Sequence, residues 1–214
     1  MGETFRAMVI RDVEGKPRAG FEDLTLADLP DNEVLVEISH SSMNYKDGLA
    51  LTGKGRIARR LPMVAGIDLA GTIVESRSAA WKPGDRVIAN GWGLSETEWG
   101  AYSRFQRLKP GHLTRLPQGF APAEAMAIGT AGYTAALCVL ALQDFGTLND
   151  KAGEVLVTGA AGGVGSVAVA LLAALGHRVT ASTGRPQEQG FLTGLGAATL
   201  LDRNELSAPG KPLQ

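Results

Sequence analysis

From Phe5 to about Leu116 the chain is a succession of short apolar or alternating runs: AMVIRD, EVLVEISHSS, LAGTIVES, DRVIAN and AYSRFQRL. Each is strand-length and bounded by Gly, Pro, Asn or Asp. Trp81-Lys82-Pro83-Gly84-Asp85-Arg86-Val87 sets a Pro-Gly turn directly before one of them. Many short strands in a row predict an antiparallel barrel or sandwich. At Pro122 the period changes. APAEAMAIGTAGYTAALCVLALQDFG is long and rich in Ala and Leu, with a turn-like break near Gly129, and predicts helix, break, helix. Then come a strand at 154–158, a glycine turn, a helix to about Leu175, a strand at 178–182, a short helix near 187–195 and a strand at 198–201. This β-α-β-α-β order is the first half of a doubly wound parallel sheet. The fold class expected is α/β: a β domain over residues 1–121, then a partial doubly wound domain over 122–214. The tail LSAPGKPLQ reads as loop.

Composition narrows the function. The net charge of −1 provides no basic field for nucleic acid. The 28 glycines are about twice the average share of roughly 7%, as expected of a chain with many tight turns. The single cysteine, Cys138, rules out a disulfide within the chain and a four-cysteine zinc site. A reducing cytosol is the natural compartment, so a cytoplasmic protein is expected. MGETFRAMVIRD has no apolar segment of signal length. The longest apolar stretch, Val164 to Leu175, is too short to cross a bilayer, and no membrane partner is expected.

The chemistry is concentrated in VLVTGAAGGVGS at 155–166. Gly159, Gly162 and Gly165 fall in GxxGxxG spacing after a strand and before a helix. One glycine permits the tight turn, one lets the backbone approach a diphosphate, and one lets helix and strand pack closely. The helix start offers free N–H groups and a positive dipole. Ala161, Gly162, Gly163 and Val164 are the expected diphosphate contacts. The following strand decides the cofactor. An NAD site usually carries a carboxylate about 20 residues on, at the ribose 2′-hydroxyl. Here Ser182, Thr183, Gly184 and Arg185 follow, and no carboxylate appears before Glu188. Hydroxyls and a guanidinium suit a 2′-phosphate, so NADP(H) is the expected cofactor. Arg203, after the third strand, is a second candidate at the adenosine end.

Taken together, the chain resembles the medium-chain dehydrogenase/reductase superfamily, through KPGDRV at 82–87, AGIDLAGTIVES at 65–76 and TGAAGGVGSVAVALLAALG at 158–176. SSMNYKDGLALTGKGRI at 41–57, GWGLSETEWGAYS at 91–103 and GTAGYTAALCVLALQD at 129–144 resemble its zinc-free, quinone oxidoreductase-like branch, specifically the acryloyl-CoA reductases. The resemblance runs from Phe5 to Glu205. It implies a GroES-like β-barrel domain followed by a Rossmann doubly wound sheet, present here in part. Zinc-dependent members carry Cys, His and Glu ligands. This chain has Asn44 at the cysteine position and Gly66-Ile67-Asp68 in place of Gly-His-Glu, and His40, His112 and His177 show no ligand spacing. No metal is therefore expected.

The resemblance further implies NADPH-dependent reduction of the C=C bond of an α,β-unsaturated acyl-CoA thioester. Alternatives are an NADPH:quinone reductase and a catalytically silent NADP(H)-binding protein. The expected partners are an acyl-CoA or quinone and a second copy of the chain, as a homodimer. Tyr45, Asn44 and Asp47 of the polar cluster NYKD are the candidate catalytic residues, Tyr45 also contacting the cofactor. The competing reading is an Asx-type turn made by Asn44 and Asp47, with Tyr45 packed on the barrel rim. Lys54, Arg56, Arg59 and Arg60 could steer coenzyme A or form a solvated loop. Trp92 and Trp99 could wall an acyl pocket or serve as buried anchors. Family members are longer. The second half of the sheet and a segment returning to the barrel are expected to be missing, which leaves an uncovered strand edge. The chain would then be a fragment, be completed by association, or be an inefficient enzyme.

Overall fold

The computed structural model describes residues 4–148 and 153–207. The chain forms two compact units, Met1–Thr130 and Ala131–Gln214.

The first unit begins with β1 (Phe5–Val13) and β2 (Lys16–Leu24), an antiparallel hairpin paired from Phe5↔Leu24 to Val13↔Lys16. Its two-residue turn puts both Glu14 (φ 54°) and Gly15 (φ 77°) in the left-handed region, matching the twist of paired strands. The Asp12 carboxylate accepts the Gly15 N–H at 2.7 Å. The sequence pattern misses β2 because KPRAGFEDL is exposed along most of its length and shows no apolar alternation. Next come β3 (Val34–His40), α1 (Tyr45–Thr52), β4 (Met63–Val64), β5 (Asp68–Ser76), β6 (Arg86–Asn90), β7 (Phe105–Leu108) and β8 (Thr114–Arg115). β2-β1-β4 form one antiparallel sheet and β7-β3-β5-β6-β8 a second. The two are tied by the Met8 N–H, which donates to the Tyr102 carbonyl at 2.8 Å. Alternating positions of the larger sheet, including Val34, Val36, Leu69, Ile73, Val87 and Leu108, bury a common core. Gly71 sits where a Cβ would lie 2.3 Å from the Glu37 carbonyl oxygen, so β3 and β5 approach closely only because it is glycine.

The helix α2 (Pro122–Asp144) is broken at Gly129, whose φ 51° and ψ −164° are non-helical, as the sequence predicts. The units divide within this helix, at Thr130, whereas the change of sequence period lies at 121–122. Ala125 and Met126, in its first turns, pack on Ala70 and Leu116 of the β unit. By length and composition α2 is apolar enough to cross a bilayer, the one such helix among the described residues, whereas the sequence pattern singles out Val164–Leu175 as the longest apolar stretch. The break at Gly129 interrupts it.

The second unit holds β9 (Val155–Val157), α3 (Gly163–Ala174), β10 (Val179–Thr183), α4 (Gln189–Gly194) and β11 (Thr199–Asp202). The strands are parallel in the order β11-β10-β9, the arrangement of the first half of a doubly wound sheet. Val157, Val169, Leu172, Val179, Ala181 and Leu192 form its core, together with Val139 of α2. Among the described strands β9 has a partner only on its β10 side. A trough of about 560 Å³ runs beside it, lined by Val139, Leu142, Leu156, Val164 and Leu172. Residues 208–214, the end of the expected terminal loop, lie outside the described residues.

Candidate functional site

The glycine turn occupies the carboxyl end of β9. Gly159 adopts φ 59°, which lets the chain leave the strand abruptly. The Ala160 N–H donates to the Ser182 carbonyl at 3.0 Å, fixing the turn against β10. Gly162 is the N-cap of α3 and donates its N–H to the Gly159 carbonyl at 2.9 Å. At Gly165 an added Cβ would stand 2.4 Å from the Gly159 oxygen and 2.8 Å from the Ala160 Cα, so helix and turn pack through this glycine. The expected turning and packing roles thus fall on Gly159 and Gly165. The first-turn N–H groups of α3, around Gly163 and Val164, lack helical acceptors and could hold an anion.

At the carboxyl end of β10, Thr183, Gly184 and Arg185 come against this turn. The Arg185 guanidinium donates to the Ala161 carbonyl at 2.6 Å, and the Arg185 N–H donates to Thr183 Oγ1 at 3.1 Å. Arg203 follows β11, and its N–H donates to the Thr183 carbonyl at 3.2 Å. Its guanidinium lies on Gly184 so closely that a Cβ there would be 2.5 Å from Arg203 Nε. Two guanidinium groups therefore flank a side-chain-free backbone position beside the glycine turn. The Glu188 carboxylate lies 3.9 Å from the Arg185 guanidinium. This donor set suits a phosphate monoester next to a diphosphate seat. One sequence expectation is corrected: Ser182 is only 1% exposed, because its side chain points into the sheet packing, so its hydroxyl does not join the surface donors.

In the first unit the polar cluster takes a form that the sequence did not make legible. Asn44 caps α1, and the Asp47 carboxylate accepts the Asn44 backbone N–H at 2.8 Å, the reciprocal bond of a capping box. Asp47 is fully buried. Burial is the main reason its pKa is raised, and the Asp68 charge adds to it. Tyr45, the first helical residue, is 85% exposed and so is not packed on a rim.

The centre of the cluster is Asp68, which is also fully buried. One carboxylate oxygen accepts from Ser42 Oγ (2.5 Å), Asn44 Nδ2 (3.2 Å) and the Thr130 N–H (2.9 Å). The other accepts from Asn90 Nδ2 (2.9 Å) and Thr130 Oγ1 (2.5 Å). The non-helical backbone at Gly129 brings Thr130 to this carboxylate, which gives the break in α2 a purpose. Tyr102 donates to the Ser42 carbonyl at 2.9 Å, and burial and the nearby Asp47 charge raise its pKa. The sequence signals available were the short spacing Asn44–Asp47 and the helix break, and neither pointed to Asp68 as the common acceptor. Among the described residues no three His, Cys, Asp or Glu side chains converge as metal ligands.

The two tryptophans separate. Trp99 Nε1 donates to the Pro62 carbonyl at 3.0 Å and the ring packs on the core, so it is an anchor. Trp92 is exposed, and its ring stacks on His112. Of the basic run, Arg56 and Arg59 line a cavity of about 640 Å³ that also includes Asp12. Arg59 and Lys46 both pair with Glu96.

Comparison with known proteins places this geometry. The alcohol dehydrogenase GroES-like domain matches residues 30–141. The chain is 48% identical over 213 residues to the acrylyl-CoA reductase AcuI of Ruegeria pomeroyi, covering 98% of this chain and 64% of that protein. It is 42% identical over 183 residues to the putative quinone oxidoreductase YhfP of Bacillus subtilis, covering 86% of this chain and 55% of that one. The YhdH oxidoreductase of Salmonella enterica, solved in complex with NADP, superimposes with a TM-score of 0.93 at 46% identity, over 98% of this chain and 64% of that one. The chain thus spans less than two thirds of the length of these relatives. A GroES-like β unit, half of a doubly wound parallel sheet and a matching domain family together make the chain a member of the alcohol dehydrogenase GroES-like family, within the medium-chain dehydrogenase/reductase superfamily.

Proposed function

We propose that the chain belongs to an NADPH-dependent reductase of the C=C bond in α,β-unsaturated acyl-CoA thioesters, with acryloyl-CoA the first substrate to test. The observation that carries the cofactor half of this reading is the pair of guanidinium groups, Arg185 and Arg203, around Gly184 and beside the glycine turn. The substrate half is supported by the 48% identity to an acrylyl-CoA reductase. In this reading the turn residues Ala161, Gly162, Gly163 and Val164 seat the diphosphate through backbone N–H groups at the start of α3. Thr183, Gly184, Arg185 and Arg203 hold the 2′-phosphate, with bidentate guanidinium bonding giving selectivity over NADH.

NADPH, when bound, supplies the hydride that reaches the β-carbon of the enoyl group. Negative charge then gathers on the thioester oxygen, and a hydrogen-bond donor directed at that oxygen lowers the barrier. Tyr45 is the residue proposed to meet substrate or cofactor, because it is exposed at the start of α1. Its phenol O–H serves as a hydrogen-bond donor to the thioester oxygen. Asn44 and Asp47 act as positioning residues, since Asp47 is buried and committed to the helix cap that sets the start of α1. The protein is further proposed to work in the cytosol as a homodimer, which chromatography with light scattering tests directly.

The quinone reading has support of its own in the 42% identity to YhfP. NADPH oxidation measured with acryloyl-CoA and with a small quinone separates the two. Turnover of the thioester is expected, and quinone turnover with no response to acryloyl-CoA would sink the leading reading.

A further inference from the structure

The loop Gly91–Glu98 holds a strain that packing does not explain. Trp92 (φ 51°) and Ser95 (φ 66°) both sit in the left-handed region, beside Gly91 (φ 74°) and Gly93 (φ 78°). Only glycine occupies that region without penalty. Ser95 is buried next to the buried Leu94, so its conformation serves the packing of the loop. Trp92 differs: 58% of it remains exposed. A large aromatic residue held in strained backbone and left in water gains little burial in return. Such outliers gather at ligand sites.

Its surroundings give the ring a use. One face lies flat on His112, with ring centroids 5.2 Å apart and planes 10° from parallel. Burial, then the charge of Lys109, lowers the His112 pKa and so disfavours a charge on the backing ring. The position is also telling. Asn90, two residues earlier, donates to one oxygen of Asp68, and Asn44, beside Tyr45, donates to the other. The exposed residues Trp92 and Tyr45 thus follow closely in sequence the two asparagines that bond opposite oxygens of one buried carboxylate.

We propose that Trp92, backed by His112, is the stacking surface for the planar conjugated carbonyl of the substrate, whether an enoyl thioester or a quinone. This assignment rests on the reductase reading above and makes Trp92 a specificity residue. A flat, electron-poor conjugated carbonyl matches a flat aromatic face; reduction of an enoyl thioester leaves a saturated acyl chain that no longer does.

The test compares Trp92→Gly and Trp92→Phe with the wild-type chain. Binding of acryloyl-CoA and of a soluble benzoquinone is measured calorimetrically without NADPH. Glycine relieves the strain and removes the ring, while phenylalanine keeps both. Trp92→Gly is expected to melt at or above the wild type while its dissociation constant for the bound probe rises about tenfold, which corresponds to ~1.4 kcal/mol. Trp92→Phe is expected to stay within about threefold of wild type, with NADPH affinity equal in all three proteins. The proposal is overturned if Trp92→Gly melts below the wild type, if it binds the probes as tightly, or if the wild type binds neither. The two probes keep this result distinct from the thioester reading. Quinone binding weakened by Trp92→Gly, with acryloyl-CoA bound by none of the proteins, supports the platform and rejects the thioester. Acryloyl-CoA binding indifferent to the substitution does the reverse.

Discussion

Replacing Asp68 with asparagine tests the polar centre of the first unit with minimal change of shape. Asp68 is fully buried and accepts five hydrogen bonds, three on one oxygen and two on the other. An amide must turn its NH2 toward one of these sets. On the first side it faces the Ser42 hydroxyl, the Asn44 amide and the Thr130 N–H. On the second it faces the Asn90 amide and the Thr130 hydroxyl, which can rotate to accept. The second placement is cheaper, yet it still strands one buried donor at about 1–3 kcal/mol. The remaining bonds lose the charge assistance that makes them roughly twice as strong as neutral ones. Together the cost is about 3–5 kcal/mol, the range for breaking a buried charged network. For a chain of this size that is a fall of roughly 6–20 °C in melting temperature. Trp81, Trp92 and Trp99, the chain's three tryptophans, all lie within Met1–Thr130, so tryptophan fluorescence during unfolding reports on this unit alone. A loss below about 1 kcal/mol would refute the claim that Asp68 organises the cluster.

Three further outcomes follow from other atoms. Gly184→Ala places a Cβ 2.5 Å from Arg203 Nε, and that flexible side chain must swing away. NADPH affinity is expected to fall about tenfold with little effect on NADH or on melting temperature, as titration of both nucleotides checks. Gly165→Ala brings a Cβ within 2.4 Å of a backbone oxygen that cannot move cheaply. It is expected to cost about 1–3 kcal/mol and to weaken both nucleotides alike, seen by thermal shift with each. Asp47 has a raised pKa in the folded state, so the stability it contributes is present below the ordinary value of 3.8 and lost as pH rises through the elevated one. Asp47→Asn resembles the protonated form, so its deficit relative to wild type is expected to be smaller at pH 7 than at pH 4. A deficit that grows with pH would contradict the assignment.

Much of the second unit was legible because its rules are local. Strand, glycine spacing and helix follow one another within 155–174, and each glycine has a steric reason that a single chain segment contains. The pairing of Arg203 with Gly184 was less visible, since it joins residues at the ends of two strands. The first unit concealed more. β2 has no apolar alternation because its stability comes from nine backbone pairs with β1, so pattern alone could not reveal it. Asn44 and Asp47 were noticed as a polar pair, but the acceptor that orders them, Asp68, lies 24 residues from Asn44 and is reached from three separate segments, around Ser42–Asn44, Asn90 and Thr130. Ser182 looked like a ligand donor because nothing local distinguishes the inward from the outward positions at the end of a buried parallel strand. Trp92 and Trp99 share one loop and looked alike in sequence. Only the backbone angles and exposure separate an anchor from a presented ring.

In the proposed function Arg185, held over the glycine turn by the Ala161 carbonyl, reads the 2′-phosphate of NADPH. The most direct measurement is calorimetric titration of NADPH and NADH into the wild-type chain and Arg185→Ala. The expected result is a wild-type preference for NADPH that shrinks about tenfold or more in the variant, through weaker NADPH binding alone. An unchanged NADPH-to-NADH ratio in Arg185→Ala would contradict the claim.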